Sequence, residues 1–112
     1  MSDCLFCKIV RGDIPSKKVY EDEACLAFHD IDPQAPVHFL VIPKEHIPSC
    51  GEVTEENSAA VSHIFEVISK VAKEQGITDF RVVSNCGAQA GQSVPHLHFH
   101  VLAGRDLTWP PG

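Results

Sequence analysis

The sequence predicts an α+β fold in which a mainly antiparallel sheet of about five strands is covered by one long helix. Two observations predict this class. The elements follow the order short helix, strands, one long helix, strands, and the long helix is the clearest amphipathic segment in the chain. Loops rich in proline and glycine separate segments of strand-like composition, which is typical of short antiparallel strands.

The first half of the chain contains a short helix and three strands. Asp3 suits the N-cap of a helix over residues 4–10, which Gly12 would end. Residues 19–20 and 25–28 are predicted to be short strands joined by the acidic turn 21–23. Residues 32–36 contain two prolines and form a loop. Residues 37–42 are apolar and rich in β-branched side chains, so they are predicted to be a central strand that ends at Pro43.

The long helix is predicted over residues 54–75. Thr54 suits its N-cap and Gly76 its C′ position. We expect this helix to cover the sheet and His63, at its edge, to be a solvated surface residue. Seven apolar residues recur at helical spacing: Ala60, Val61, Ile64, Phe65, Ile68, Val71 and Ala72.

The second half of the chain supplies two further strands and a glycine-rich loop. Residues 80–84 and 96–102 are predicted to be strands, and residues 85–93 form the loop between them. The last five residues, with two prolines, are neither helix nor interior strand.

Length and composition restrict the possible functions. A chain of 112 residues, 44% hydrophobic and 21% charged, forms a single domain over residues 1–112. Its net charge of −6 disfavours binding to a nucleic-acid backbone. The longest apolar run is too short to cross a membrane, and no secretory signal is recognised, so a cytoplasmic location is expected.

Three histidines alternate with apolar residues near the end of the chain. In a strand, His96, His98 and His100 would share one face, and the apolar side chains between them would pack against the long helix. The imidazoles would then line an open surface. They could bind one catalytic metal ion, or one could act as a nucleophile while the others hold an anion. The preceding Gly91-Gln92-Ser93, with free backbone N–H groups and a hydroxyl, favours the second alternative.

The cysteines are odd in number, at five, and in the reducing compartment expected for this chain disulfides are improbable. Cys4 and Cys7 have the spacing of a metal or redox pair. The other three, Cys25, Cys50 and Cys86, are interpreted as buried or partly buried small apolar residues.

These residues carry a resemblance to a known family. Residues 95–102, Pro-His-Leu-His-Phe-His-Val-Leu, resemble the signature of the histidine triad (HIT) superfamily. Residues 28–44, 90–94 and 109–112 extend the similarity to the Hint branch, the histidine triad nucleotide-binding proteins. The resemblance covers nearly the whole chain and implies a HIT-like fold of one domain.

The resemblance also implies roles for individual residues. His98 matches the nucleophile, His100 the histidine that contacts the phosphate and leaving group, and His38 a histidine that supports the nucleophile. Asp30 matches the acceptor for the ribose hydroxyls, although it could simply cap a turn. The positions that match phosphate and ribose contacts are Asn85, Gly91, Gln92 and Ser93. The positions that match the purine slot are Leu5, Phe6, Phe28, His29 and Ile31, of which Phe28 and Ile31 could equally be core residues.

For the cysteine pair, the resemblance implies a structural zinc site of the bacterial type. The two ligands beside Cys4 and Cys7 would be His46 and His96, and catalysis would need no metal. Two free buried thiols are the alternative.

The implied activity is hydrolysis of purine nucleoside phosphoramidates, such as AMP joined to an amine or a lysine, through a nucleotidyl-histidine intermediate. The implied partners are purine nucleoside monophosphates, their phosphoramidates and a second copy of the chain. Two alternatives remain open: a hydrolase with a catalytic metal on the triad, and a regulatory module that binds nucleotides with little turnover.

Overall fold

The computed structural model describes residues 4–112, so the predicted capping role of Asp3 lies outside the described residues. Five strands and two α-helices make up the fold, with short 3-10 turns at Cys50–Glu52 and Ala88–Ala90. The helices and strands, in chain order, are α1 Leu5–Arg11, β1 Lys18–Glu21, β2 Cys25–His29, β3 Val37–Pro43, α2 Ser58–Glu74, β4 Phe80–Val83 and β5 Phe99–Ala103.

The strands form one antiparallel sheet in the order β1-β2-β3-β5-β4, which confirms the predicted α+β class and five strands. β3 is central, as its apolar sequence predicted, and six of its seven residues are buried. Both β3 and β5 are hydrogen-bonded on two sides, so the middle of the sheet is its most enclosed part.

The sheet buries a different apolar cluster on each face. On one face, α2 packs Ile64, Val67 and Ile68 against side chains that include Phe39 and Phe99. On the other face, α1 packs its own apolar residues against β2 and β3; the buried members of this cluster are Phe6, Ile9, Leu26, Phe28, Leu40 and Ile42. The predicted packing of the long helix on the sheet is therefore confirmed.

The long helix begins four residues later than predicted, at Ser58. Thr54 does not cap it, because Thr54 and Asn57 close a turn in front of the helix instead. The Thr54 N–H donates to Asn57 Oδ1 at 2.7 Å, and the Thr54 hydroxyl accepts from the Glu56 N–H at 3.2 Å. The predicted C-terminal signal is confirmed: Gly76 has a φ of +73°, and its N–H donates to the Lys73 carbonyl.

Strand β5 begins at Phe99 and not at residue 96. In the register of β3 and β5, which pairs Val41 with Phe99, Leu97 would fall opposite Pro43 two positions further on. Proline has no N–H to donate, so regular pairing stops there. Leu97 donates instead to the Ile47 carbonyl at 2.6 Å. The alternation of side chains survives nevertheless, since Leu97 and Phe99 join the α2 cluster and the histidines face the other way.

Three further expectations are corrected. His96 and His98 do not line an open surface, because α1 covers that face and leaves them 0% and 5% exposed. Cys50 and Cys86 are exposed, whereas Cys25 is buried as expected. His63 is half-buried, and its Nε2 lies 2.6 Å from the Asp22 carboxylate in the β1–β2 turn.

No helix within residues 4–112 is both long and apolar enough to cross a membrane.

Candidate functional site

Two imidazoles from adjacent strands, His38 on β3 and His100 on β5, form a hydrogen-bonded pair. The Gln34 backbone N–H donates to His38 Nδ1 at 3.0 Å, so this nitrogen carries no proton and the neutral ring is protonated at Nε2. His38 Nε2 lies 2.9 Å from His100 Nδ1 and donates to it. The proton of neutral His100 therefore sits on its Nε2, on the side away from His38.

His98 has the opposite tautomer. Its Nδ1 lies 2.7 Å from the His96 carbonyl, and only a protonated nitrogen can donate there. The lone pair of His98 is therefore on Nε2. The ring centroids of His98 and His100 lie 5.1 Å apart, so a ring with an acceptor nitrogen on Nε2 is the neighbour of a ring with a donor nitrogen on Nε2.

Burial keeps His100 neutral. It lowers the pKa of His100 to about 4, with smaller contributions in the same direction from His98 and His38. The Asp30 carboxylate opposes the shift, since Asp30 Oδ2 lies 4.0 Å from His100 Nδ1 and 3.4 Å from His38 Nε2. The Asp30 carboxylate and the imidazoles of His38 and His100 thus form one polar group.

A cavity of about 910 Å³ opens beside this group. Asp30 and His38 lie on its polar side, and α1 contributes Leu5 and Ile9 to its apolar wall. A mainly apolar cavity of this size with a few polar groups is typical of a small-molecule site. The full lining is Leu5, Ile9, Ile14, Pro15, Ser16, Lys17, Phe28, His29, Asp30, Ile31, Pro33, Pro36 and His38.

The cavity brings together most of the residues expected to form a purine slot. Phe28 lines it and is also a buried core residue of the cluster beneath α1, so one side chain belongs to both the cavity wall and the core. Ile31 lines it while fully exposed, which rules out the core alternative. Asp30 likewise does two jobs: its Oδ1 caps the turn by accepting from the Asp32 N–H at 2.7 Å, and its Oδ2 faces the imidazoles. Phe6 does not line the cavity and packs edge-on against His98.

The glycine-rich loop is held in shape by the side chain of Gln92. Its Oε1 accepts from the Gly87 N–H at 2.8 Å, and its Nε2 donates to the carbonyls of Pro48 and Val94 at 2.8 and 3.1 Å. Gly91 has a φ of +98°, a backbone conformation that favours glycine, and it lies in ordinary contact with the side chain of Asn85. Ser93 is exposed in the same loop.

Four side chains predicted to bind a metal converge at the end of α1. The Sγ atoms of Cys4 and Cys7 and the Nδ1 atoms of His46 and His96 all lie within 4.8 Å of one another. Three of the S···N separations are 3.3, 3.4 and 3.6 Å, and the N···N separation is 3.2 Å. Zinc in a tetrahedron with ordinary bond lengths requires S···N edges of about 3.6 Å and N···N edges of about 3.3 Å.

The proton on His96 also suits this role. His96 Nε2 lies 2.9 Å from the Pro43 carbonyl and donates to it, which leaves the Nδ1 lone pair facing the thiols. Burial lowers the pKa of His96, so the ring stays neutral. Burial, and then the neighbouring Cys4 thiol, raises the pKa of Cys7, so the Cys7 thiol stays protonated unless a cation balances its charge. The donor set fits a tetrahedral zinc ion.

The same orientation separates His96 from the other two triad histidines. With Nδ1 turned to the thiols and Nε2 bound to Pro43, His96 has no nitrogen left for a metal shared with His98 and His100. This geometry argues against a catalytic metal on the triad. Phe6 separates the two groups, since its ring packs edge-on against both His96 and His98, at 5.9 and 5.0 Å.

Two other clusters contain residue types that can bind a metal ion, but hydrogen bonds account for the arrangement of each. His38 and His100 donate and accept directly between themselves beside Asp30. In the group of Asp22, Cys25 and His63, burial raises the pKa of Cys25 to about 12. The Asp22 carboxylate accepts hydrogen bonds from His63, from the Tyr20 hydroxyl and from the N–H groups of residues 24 and 25.

Sequence reasoning missed several contributions to the site. The Gln34 N–H and the Pro43 carbonyl set the protonation of His38 and His96, and the Ser84 hydroxyl donates to the His98 carbonyl at 2.9 Å. Backbone groups carry no side-chain signal, so no sequence pattern could have identified the first two. Lys17 and Ser16 line the cavity from the segment before β1, which has no distinctive pattern.

Comparison with known proteins agrees with this geometry. The family model described as scavenger mRNA decapping enzyme C-term binding matches residues 3–107. HIT-like proteins of Synechococcus elongatus and Synechocystis sp. are each 50% identical to this chain over 111 residues, covering 98% of it and 97% of the relative.

Solved structures give the same result. A HIT family hydrolase from Legionella pneumophila superposes with a TM-score of 0.95 at 46% identity, over 98% of this chain and all of that one. A histidine triad protein from Clostridium difficile superposes with a TM-score of 0.93 at 53% identity, over 96% of each chain. The matched residues 3–107 include α1 and all three histidines of the triad. The chain belongs to the HIT family and is a hydrolase-like member of it.

Proposed function

We propose that this protein hydrolyses purine nucleoside phosphoramidates, such as AMP joined to an amine or a lysine, as a Hint-type enzyme. The observation that carries the proposal is the pair of opposite tautomers at His98 and His100. An unprotonated Nε2 on His98 next to a protonated Nε2 on His100 supplies a nucleophile and a hydrogen-bond donor in one place.

In the first step, His98 Nε2 attacks the α-phosphorus and displaces the amine. A neutral imidazole is a sufficient nucleophile at phosphorus without a separate base. The product is a nucleotidyl-His98 whose Nδ1 still donates to the His96 carbonyl, which stabilises the positive charge on the ring.

The leaving nitrogen must gain a proton as the P–N bond breaks. His100 is the proposed source, with His38 and Asp30 behind it. An anionic phosphate bound against His100 favours the imidazolium form, and Asp30 acts in the same direction. In the second step water attacks the nucleotidyl-histidine, releases the nucleoside monophosphate and returns the proton to His100.

The substrate would occupy the cavity and the neighbouring loop. Phe28, His29 and Ile31 contribute to a wall suited to a purine base, and Asp30 can accept from ribose hydroxyls. Asn85, Gly91 and Ser93 are proposed to face the phosphate from the loop. The Gln92 side chain holds that loop through its own hydrogen bonds, so we propose that it positions the contacts of its neighbours.

We propose that the zinc site is structural. Cys4, Cys7, His46 and His96 would hold one ion, whose contribution would be to bind α1 to the segments that follow β3 and precede β5. No step of the reaction passes through it. We also propose a cytoplasmic location and a homodimer, with AMP-type nucleotides and a second copy of the chain as partners.

The test is mass spectrometry of the intact protein after brief mixing with an adenosine phosphoramidate at neutral pH, followed by a rapid quench in alkaline denaturant, because the P–N bond of a nucleotidyl-histidine is labile in acid. We expect an added adenylyl group that maps to His98 by peptide analysis. An adduct on His96 or His100 would overturn the assignment of the nucleophile.

The regulatory alternative predicts a different result from the same sample. A module that only binds nucleotides would retain AMP affinity and show no adduct and no amine release. Measurement of the AMP dissociation constant beside the adduct therefore distinguishes a binding module from the proposed enzyme.

A further inference from the structure

Two cysteines outside the proposed active site meet across the base of the glycine-rich loop. Cys86 lies in that loop after β4, and Cys50 lies in the 3-10 turn between β3 and α2. Both are exposed. Neither belongs to the zinc-type cluster, and neither is used in the proposed reaction.

Contacts run in both directions between the two segments. Cys86 Sγ lies 3.4 Å from the Ser49 hydroxyl and 2.9 Å from the position that a Cβ on Gly51 would occupy, so it sits between the two residues that flank Cys50. In return, Cys50 Sγ lies 4.0 Å from the carbonyl of Ser84, two residues before Cys86. Each thiol therefore rests on the other's segment.

The surroundings of Cys86 favour its thiolate. Hydrogen bonds from the Ser49 hydroxyl, then from the Gly51 N–H and the Cys50 thiol, lower the pKa of Cys86 below its usual value, against the opposing effects of desolvation and of the Glu52 carboxylate. An exposed thiol with a lowered pKa beside a second thiol is the arrangement found at oxidation-sensitive sites. Cys25 shows the contrast, because burial raises its pKa to about 12.

We propose that Cys50 and Cys86 are a peroxide-sensitive thiol pair that closes a disulfide across the base of the loop. The Cys86 thiolate attacks a hydroperoxide, the O–O bond breaks, and Cys86 becomes a sulfenic acid while an alcohol or water leaves. The Cys50 thiolate then attacks that sulfur, the S–S bond forms, and hydroxide leaves as water. Two thiols lose two electrons and two protons, and the peroxide accepts both.

The link would connect two segments that already share the Gln92 amide. Gln92 joins the loop to the Pro48 carbonyl, two residues before Cys50. The disulfide would make this non-covalent connection covalent at the loop that carries Asn85 and Ser93. The proposal concerns the thiols alone and does not depend on the proposed hydrolysis.

The test uses the full chain loaded with zinc and treated with hydrogen peroxide. Free thiols are then alkylated, and peptides are mapped without reduction. We expect the loss of two hydrogen atoms from the intact mass and a peptide linked through Cys50 and Cys86, with Cys25 alkylated. The proposal would be overturned if a Cys4–Cys7 disulfide formed while Cys50 and Cys86 stayed free thiols and were alkylated afterwards.

Single variants test the order of the two steps. In Cys50→Ser, Cys86 should accumulate as a sulfenic acid that dimedone captures. In Cys86→Ser, Cys50 should remain a thiol under the same conditions. Ser49→Ala removes the first donor to Cys86 and should slow the oxidation several-fold. Equal dimedone labelling of the two cysteine variants would overturn the assignment of Cys86 as the reactive thiol.

Discussion

At the scale of single residues, the protonation of each triad histidine depends on a backbone group. The His96 carbonyl holds the proton of His98 on Nδ1, and the Pro43 carbonyl holds that of His96 on Nε2. The Gln34 N–H excludes a proton from His38 Nδ1, so His38 donates from Nε2 to His100 and leaves the His100 proton on its own Nε2. Because the sheet and its adjoining turns fix these backbone groups, each triad imidazole is held in one tautomer.

Loss of the His98 imidazole should remove turnover while the nucleotide site remains. For His98→Gln we expect kcat to fall by at least ~10³, with AMP binding still measurable. His63→Gln, a change of a histidine outside the cavity, is the matched control and should retain near-normal kcat. A folded His98→Gln protein that turns over at the wild-type rate would exclude the nucleophilic role.

His96 and His100 should respond differently to the same substitution. His96→Asn removes a ligand of the zinc cluster, so zinc content and melting temperature should fall first. His100→Asn leaves the cluster intact, so kcat/KM should fall while zinc and melting temperature stay close to wild type. Equal losses of activity without any loss of zinc or stability would assign all three imidazoles to the active site.

Burial of His100 should make stability depend on pH. Its pKa of about 4 lies below the value of 6.5 for an exposed imidazole. Between these values the unfolded chain binds a proton that the folded chain does not, so the free energy of unfolding should decrease as pH falls from 6.5 to 4. Urea titrations should show a shallower decrease for His100→Gln. Identical slopes would contradict a buried, neutral His100.

At the scale of elements, α1 connects the metal-type cluster to the cavity. Its seven residues carry the Cys7 ligand, place Leu5 and Ile9 in the cavity wall, and pack Phe6 on His98. A helix of this length is not stable alone, so its position depends on what it is attached to.

Loss of the cysteine ligands should therefore weaken nucleotide binding at a distance. Cys7→Ser should reduce zinc from about one ion per chain. It should also raise the AMP dissociation constant several-fold, because the α1 wall of the cavity loosens. Elemental analysis and calorimetry measure the two effects, and Cys86→Ser, an exposed cysteine away from α1, is the control. Full zinc retention by Cys7→Ser would refute the site, and unchanged AMP affinity would refute the coupling.

The order of elements and the faces of the strands could be predicted because they follow from local patterns. Apolar runs gave β3, and helical spacing gave α2. The ends of the elements could not be predicted, since they depend on particular contacts. Pro43 ends the pairing of β5 with β3, and a hydrogen bond between Thr54 and Asn57 closes a turn that shifts the start of α2 to Ser58. Likewise, the alternating histidines indicate a reactive site, but the tautomers of His96 and His98 depend on the carbonyls of Pro43 and His96. No pattern of side chains shows which carbonyl will face which ring.

At the scale of the whole molecule, large apolar side chains on α2, on β4 and in the C-terminal tail remain exposed. Phe65, Phe80 and Trp109 are 46%, 38% and 80% exposed. The Arg81 guanidinium donates to the carbonyls of residues 107 and 108 and lies 5.9 Å from the Trp109 ring, so the tail is held against β4. Exposed apolar surface of this kind is typical of an interaction site.

If this surface is the interface of the proposed homodimer, light scattering should give twice the chain mass of 12.3 kDa. Phe80→Glu should then give the monomer mass, because a buried unpaired carboxylate opposes association. Ile31→Glu, which adds the same charge at a fully exposed residue of the cavity, should remain a dimer. A wild-type chain of monomer mass at micromolar concentration would disprove the dimer.

The central position of β3 and β5 has a consequence for amide hydrogen exchange. Backbone amides in the middle of a sheet exchange only when much of the protein opens, whereas loops and short helices exchange through local fluctuations. His38 and His100 lie on those two strands, and α1 and the loop of residues 85–93 lie at the periphery. We therefore expect the backbone segments that carry these two imidazoles to be among the slowest to exchange their amide hydrogens. Breathing motions that admit a substrate must then come from the surrounding segments, while the spacing of the two rings stays constant.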